Sequence, residues 1–270
     1  MIVTVDDPAD TRLDAFRWRE RQLANVSQRR EKVGAGMFVA EGDLVVGRAI
    51  DAGHRTVALL CDDRHGVELA ARVPDDVPVY VGAEPLRKEV TGLGVPLSAT
   101  GLFRRPALLA PGEMLAVARS VVVMEAVDNP TNLGAIVRSA AALGWDGLLL
   151  DSTSADPLAR RALRVSMGTG LSIPFARLDA GDDITSALRG HGFVTCALTP
   201  DRDAADISGV RIPDGASVAV LLGSERSGLT EDVLARATHR VRIPMHAGTD
   251  SLNVGAAAAI ALQLLGPNGR

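Results

Sequence analysis

Residues 119–151 read RSVVVMEAVDNPTNLGAIVRSAAALGWDGLLLD. A β-branched apolar run gives way to a polar loop around Pro130. An alanine-rich stretch with helical spacing follows, and a second short apolar run closes the unit. Strand, loop, helix and strand in this order form a crossover between parallel strands. The alternation continues downstream through FVTCAL, SVAVLLG, LTEDVLARA, HRVRIP and an alanine-rich helix over 253–265. Upstream it is present from GMFVAEG to EPLRKEVTG, residues 36–92. The expected fold class is therefore α/β with parallel strands. The stretch RPALLAPG, residues 105–112, breaks the pattern with two prolines and a glycine. It divides the chain into a basic helical segment over 1–35, a smaller α/β domain over 36–110 and a larger one over 117–270.

Composition limits what these pieces can do. With 270 residues, 47% apolar and 23% charged, the chain has the balance of a globular protein, not of a disordered or fibrous one. No run reaches the roughly 18 to 20 apolar residues of a membrane span, and MIVTVDDPAD has acids where a signal peptide carries bases. A cytoplasmic protein without a membrane partner is expected. The net charge of −4 argues against general polyanion binding, and eight aromatic residues leave few platforms for stacking bases. Cys61 and Cys196 lack metal-ligand spacing, and the five histidines show no pairing that would hold a metal. No metal is expected.

Local charge is more informative than net charge. Residues 11–32 carry seven bases against three acids, with Leu13, Phe16, Leu23 and Val26 on an amphipathic spacing. The spacing predicts one helix, either packed with a solvated basic face or contacting nucleic acid through Arg29, Arg30 and Lys32. Arg160, Arg161 and Arg164 form a second cluster that reads equally as an exposed helix face.

Familiar phosphate and nucleophile motifs are missing. There is no G-x-x-x-x-G-K-[ST], no G-x-G-x-x-G after a strand and no G-x-S-x-G elbow. Three polar loops remain, each after an apolar strand run. The first holds Asn132 at the expected start of a helix, with Arg138 in the apolar LGAIVRSAAALG. A half-buried guanidinium there needs a carboxylate or phosphate partner. The second is GSERSGL, whose small residues let backbone N–H groups approach a ligand and whose Glu225 can orient a base. The third runs from Ile243 through Ser251 and Asn253 into the last helix. Loops at the carboxyl ends of parallel strands line a common crevice. Taken singly, each loop also reads as turn glycines and helix caps.

Taken together, NPTNLGAIVRSAAALGW (129–145), VSMGTGLSIPF (165–175), LLGSERSGL (221–229) and IPMHAGTDSLNVGAAAAIAL (243–262) resemble the successive signature segments of one family. These are the SpoU, or TrmH-type, RNA 2′-O-ribose methyltransferases of the SPOUT class. Residues 29–53 are similar, more weakly, to the family's ribosomal-protein-like substrate-binding domain. The resemblance implies a C-terminal trefoil-knotted methyltransferase domain, although knots are almost absent from ordinary folds. It also implies S-adenosylmethionine (AdoMet) as methyl donor, an RNA substrate (rRNA above tRNA) and a homodimer with its active site at the interface.

Site roles follow from the same resemblance. Arg138 matches the residue assigned to activating the ribose hydroxyl. A guanidinium keeps its proton in proteins, so the role read here is to hold a phosphate or stabilise the developing alkoxide. Water or a phosphate oxygen then takes the proton. Asn132 matches the asparagine that positions arginine and ribose, Glu225 an acid that orients arginine or the RNA backbone, and Ser251 and Asn253 the pair that places the hydroxyl. Leu222, Gly223, Ile243, Met245 and Leu252 match cofactor-pocket positions. Gly255 departs from the pattern, since many members carry serine there. The alternative is a catalytically silent RNA-binding or ribosome-assembly factor on the same fold, which the intact site residues disfavour. Base methylation is a third reading, disfavoured by Ser251-Leu252-Asn253.

Overall fold

The computed structural model describes residues 1–24, 36–92, 97–246 and 251–266. Arg29, Arg30 and Lys32 lie outside them. The chain divides into two units: Met1–Ala107 with Leu158–Leu171, and Leu108–Pro157 with Ser172–Arg270. The junction at Ala107/Leu108 falls within the proline-bearing stretch. Leu158–Leu171 is the difference from a continuous 117–270 domain, because that segment folds with the first unit.

In the first unit a five-stranded sheet has the order β1 (Ile2–Thr4), β4 (Val79–Val81), β3 (Thr56–Cys61), β5 (Ala99–Arg104), β2 (Met37–Glu41). The first three are parallel, but β5 runs antiparallel to both β3 and β2, so the purely parallel expectation fails in this unit. Helices α3 (Asp43–Asp51), α4 (Asp63–Ala70) and α5 (Glu84–Thr91) connect the strands.

The single helix expected over 11–32, within the basic segment 1–35, is corrected for its described part, residues 11–24. Residues 2–4 form a sheet strand, and residues 14–17 and 20–23 form two short helices, α1 (Asp14–Arg17) and α2 (Glu20–Leu23). Between them Trp18 and Arg19 adopt extended backbone, which ends one helix and starts the next. Leu13, Phe16 and Leu23 are fully buried among Met37, Val39, Leu60 and Leu102. Their apolar spacing therefore serves the core. Arg12 pairs with Asp10 and Arg17 with Asp14, so part of the positive charge is neutralised locally.

Helix α8 (Arg160–Val165) belongs to this unit and is fastened by its first residue. Arg160 donates to Phe16 O at 2.9 Å, Trp18 O at 3.0 Å and Glu41 Oε1 at 3.3 Å, and its backbone N–H donates to Glu20 Oε1 at 2.7 Å. Arg164 pairs with the other Glu41 oxygen at 3.3 Å. The Glu41 side chain is only 2% exposed, so this carboxylate is held by two guanidinium groups inside the fold. Arg160 is thus a structural residue and not part of a free basic face.

In the second unit seven strands run in the order β10 (Ala205–Asp206), β12 (His239–Arg242), β9 (Val194–Leu198), β11 (Val218–Leu222), β6 (Ser120–Met124), β7 (Gly147–Leu150), β8 (Phe175–Arg177). All pairs are parallel. Helices α6 (Pro111–Val117), α9 (Ile184–Gly190) and α10 (Glu231–Arg236) share one core with Val121, Val123, Ala219 and Leu221. Helices α7 (Pro130–Ala142) and α11 (Val254–Leu265) pack on each other, and α11 also packs on β11. Trp145 fixes the end of α11 through its indole N–H, which donates to Leu262 O at 3.2 Å.

Register decides where the loops emerge. Leu222 is level with Met124, and Leu221 with Ala197, so β6, β9 and β11 end at one edge of the sheet. The segments that follow them leave from that edge together.

Candidate active site

Helix α7 starts three residues earlier than the sequence reading placed it. Asn129, not Asn132, is the N-cap: its side chain accepts from Thr131 N–H at 2.9 Å, and Pro130 takes the first helical position, where no N–H is needed. Asn132 lies within the first turn and is 6% exposed. A buried amide needs partners, and Asn132 Oδ1 finds one on the last helix, accepting from Asn253 Nδ2 at 3.0 Å.

Asn253 ties the three loops together. Its Oδ1 accepts from Gly255 N–H at 3.0 Å, which caps α11. Its Nδ2 donates to Asn132 and, at 2.8 Å, to Glu225 Oε1. One amide thus joins residues 121 and 28 positions away in sequence. Gly255, the departure from the family pattern, has a packing reason. A Cβ there would meet Ala135 Cβ at 3.0 Å and Asn253 Oδ1 at 3.1 Å, so glycine permits α7 and α11 to approach beside the capped end.

The loop after β11 is a tight hairpin. Ser224 O accepts from Gly228 N–H at 3.0 Å, and the two serine hydroxyls, Ser224 and Ser227, lie 2.8 Å apart. A Cβ on Gly223 would fall 2.1 Å from the Gly228 carbonyl carbon, which is backbone and cannot yield. Gly228 has φ of +69°, a conformation favouring glycine. Both glycines are therefore required by the turn itself.

A cavity of about 550 Å³ opens beside this hairpin. Its wall includes all five expected cofactor residues, Leu222, Gly223, Ile243, Met245 and Leu252, with Ser251, Asn253 and Glu225 at the same wall. Apolar side chains and hairpin backbone can hold a flat, largely apolar ligand, and the charged lining is mixed, with Asp201, Glu225 and Glu231 beside Arg226. Leu198–Asp201, the end of β9 and its following loop, also contribute. Sequence reasoning missed them; the Thr-Pro-Asp after an apolar strand was the available signal. Asp201 is paired with Arg240.

Arg138 stands apart from this cluster. The buried stripe of α7 is Asn132, Leu133, Gly134, Ile136, Val137 and Ala140, which turns Arg138 outward. It is exposed, not half-buried as expected, and no carboxylate among the described residues pairs with it. Among the described residues no group of three or more His, Cys, Asp or Glu is placed to hold a metal ion, and no helix is long and apolar enough to cross a membrane.

Residues 119–263 match the SpoU rRNA Methylase family model. An uncharacterized tRNA/rRNA methyltransferase of Mycobacterium bovis is 37% identical over 264 residues, covering 95% of this chain and 89% of the relative. The 23S rRNA (guanosine(2553)-2′-O)-methyltransferase RlmP of Bacillus subtilis is 28% identical over 236 residues, covering 86% and 89%. The crystal structure of an AdoMet-bound rRNA methyltransferase from Sinorhizobium meliloti superposes with a TM-score of 0.83 at 25% identity, covering 97% of this chain and 96% of that one. The segments that meet at Asn253 lie inside the matched region, and the likeness extends over both units: the chain belongs to the SpoU rRNA methylase family of RNA methyltransferases.

Proposed function

We propose that the protein transfers a methyl group from AdoMet to a ribose 2′-hydroxyl of rRNA and works as a homodimer. The observation that carries the reading is the Asn253 amide joining Asn132 and Glu225 at the wall of a cavity lined by the expected cofactor residues. The activity of the Bacillus subtilis relative and the ligand of the Sinorhizobium meliloti structure agree with it.

The residues present fit AdoMet. The volume is within the roughly 300–1,000 Å³ of small-molecule sites. Leu222, Ile243, Met245 and Leu252 supply apolar cover, the hairpin backbone at Gly223 lies at the same wall, and the Glu225 and Glu231 carboxylates can face a sulfonium cation. When bound, AdoMet supplies a methyl group already activated by positive charge. The protein's task is then alignment and hydroxyl activation. Positioning of the 2′-hydroxyl is assigned to Asn253 and Ser251, which both line the cavity. Asn132 and Glu225 keep Asn253 from turning. Arg138, exposed and without a protein partner among the described residues, binds a phosphate or the developing alkoxide, while water or a phosphate oxygen takes the proton.

The trefoil knot and the dimer belong to the same reading. Helix α11 carries no charge, and Ile260 and Leu264, 37% and 45% exposed, give it an apolar outer face suited to a second copy. The first unit is assigned to RNA recognition. Titration calorimetry with AdoMet tests the reading: micromolar to submillimolar binding is expected, and no binding at millimolar AdoMet overturns it.

A further inference from the structure

We propose that Glu125, which has no part in the chemistry above, is a positioning residue that holds the 223–229 wall of the pocket in place; the inference rests on the AdoMet reading of that pocket. Glu125 directly follows β6. Its backbone N–H donates at 2.9 Å to the carbonyl of Leu222, the last residue of β11. Its carboxylate reaches the far end of the same loop. Oε2 accepts from Thr230 N–H at 2.8 Å and Oε1 from Thr230 Oγ1 at 2.9 Å. One residue therefore grips the chain immediately before and immediately after the 223–229 hairpin.

The hairpin between these grips carries Glu225 to Asn253 and lines the cavity. A shift at its base moves Glu225 and the Gly223 backbone together, because Gly223 already touches Gly228 and Leu229. The backbone after Glu125 shows a matching constraint. Ala126 has φ of +54°, rare for a residue with a Cβ, and its carbonyl accepts from Asp128 N–H at 2.9 Å. Strain of this kind persists where surrounding contacts enforce it. Here it turns the chain out of β6 at the residue that follows the grip. Thr230 is committed as well. Its hydroxyl donates to Glu125 and accepts from Val233 N–H at 3.5 Å, capping α10. Glutamine can reproduce both contacts, accepting from Thr230 N–H and donating to Oγ1, whereas alanine makes neither.

The test combines AdoMet calorimetry, steady-state kinetics and amide hydrogen exchange without ligand on the full chain. In Glu125→Ala, the Kd and KM for AdoMet rise about tenfold, the scale of losing hydrogen bonds to a charged group, while the KM for RNA is unchanged. Amides of 224–229 exchange faster than in the parent protein. Glu125→Gln restores both readouts, and Thr230→Val shows a smaller change in the same direction. The proposal is overturned if folded Glu125→Ala keeps parental AdoMet affinity and parental exchange at 224–229, or if glutamine behaves like alanine. Should Glu125→Ala not fold, an unchanged Thr230→Val overturns it. A parent protein that binds no AdoMet overturns the function proposed above instead, and hydrogen exchange still decides the role of Glu125.

Discussion

Helices α7 and α8 both carry arginines without any other charged residue type, and the two use them in opposite ways. On α8, Arg160 finds Glu41, two backbone carbonyls and the edge of α2, and its side chain is 17% exposed. Its bonding capacity goes into the fold of the first unit. On α7, Arg138 points away from the buried stripe and meets no protein partner among the described residues. A guanidinium in the first situation stabilises a structure. One in the second is available to an anion that comes from elsewhere, which in an RNA methyltransferase family directs attention to phosphate or a developing alkoxide.

That contrast can be broken by substitution, beginning with the largest effect. Glu41→Ala leaves the part-buried Arg160 without its carboxylate and is expected to cost about 3 kcal/mol of unfolding free energy in denaturant titration. A loss below about 1 kcal/mol would remove α8 from the structural side of the comparison. Arg138→Ala should do the reverse, lowering methyl transfer about a hundredfold with Tm and AdoMet affinity unchanged. Arg138→Lys should remain well below the parent protein, since an ammonium cannot form a two-point clamp. Asn253→Ala, which removes the α11 cap and the partner of buried Asn132, should cost about 1–2 kcal/mol and also slow turnover, measured by denaturant titration and initial rates. Arg164→Ala is the smallest change, at most about 1 kcal/mol, because its side chain is 49% exposed and screened.

Much of the second unit was legible because β6, β7 and β11 are almost entirely apolar runs and the loops hold residues with little other reason to be there. Leu222, Gly223, Ile243, Met245 and Leu252 fall on one cavity wall. What escaped depends on distance in sequence. Nothing near Arg160 announces Glu41, 119 positions earlier, so its cluster read as an exposed face. Strand order is equally silent in sequence, which hid the contribution of Leu198–Asp201 from the end of β9. The three-residue β1 is too short to show periodicity, and the antiparallel β5 lies in a stretch that carried no strand assignment. The N-cap of α7 was readable and misread: Pro130 belongs at the first helical position, which makes Asn129 the cap. Because residues 2–24 supply a strand and core side chains, removing the N-terminal segment would disturb the fold as well as any RNA contact. Salt dependence of RNA binding by the intact chain is the cleaner probe of phosphate contacts.

Methyl transfer to a ribose hydroxyl by this site is the activity we propose. Its most direct test is mapping of 2′-O-methyl positions in total RNA from cells with the gene, without it, and complemented with either the parent protein or Arg138→Ala. The account predicts one rRNA ribose that loses its methyl group on deletion, regains it with the parent protein and stays unmethylated with Arg138→Ala. Unchanged 2′-O-methylation in the deleted cells, or a lost methyl group that maps to a base, would contradict it.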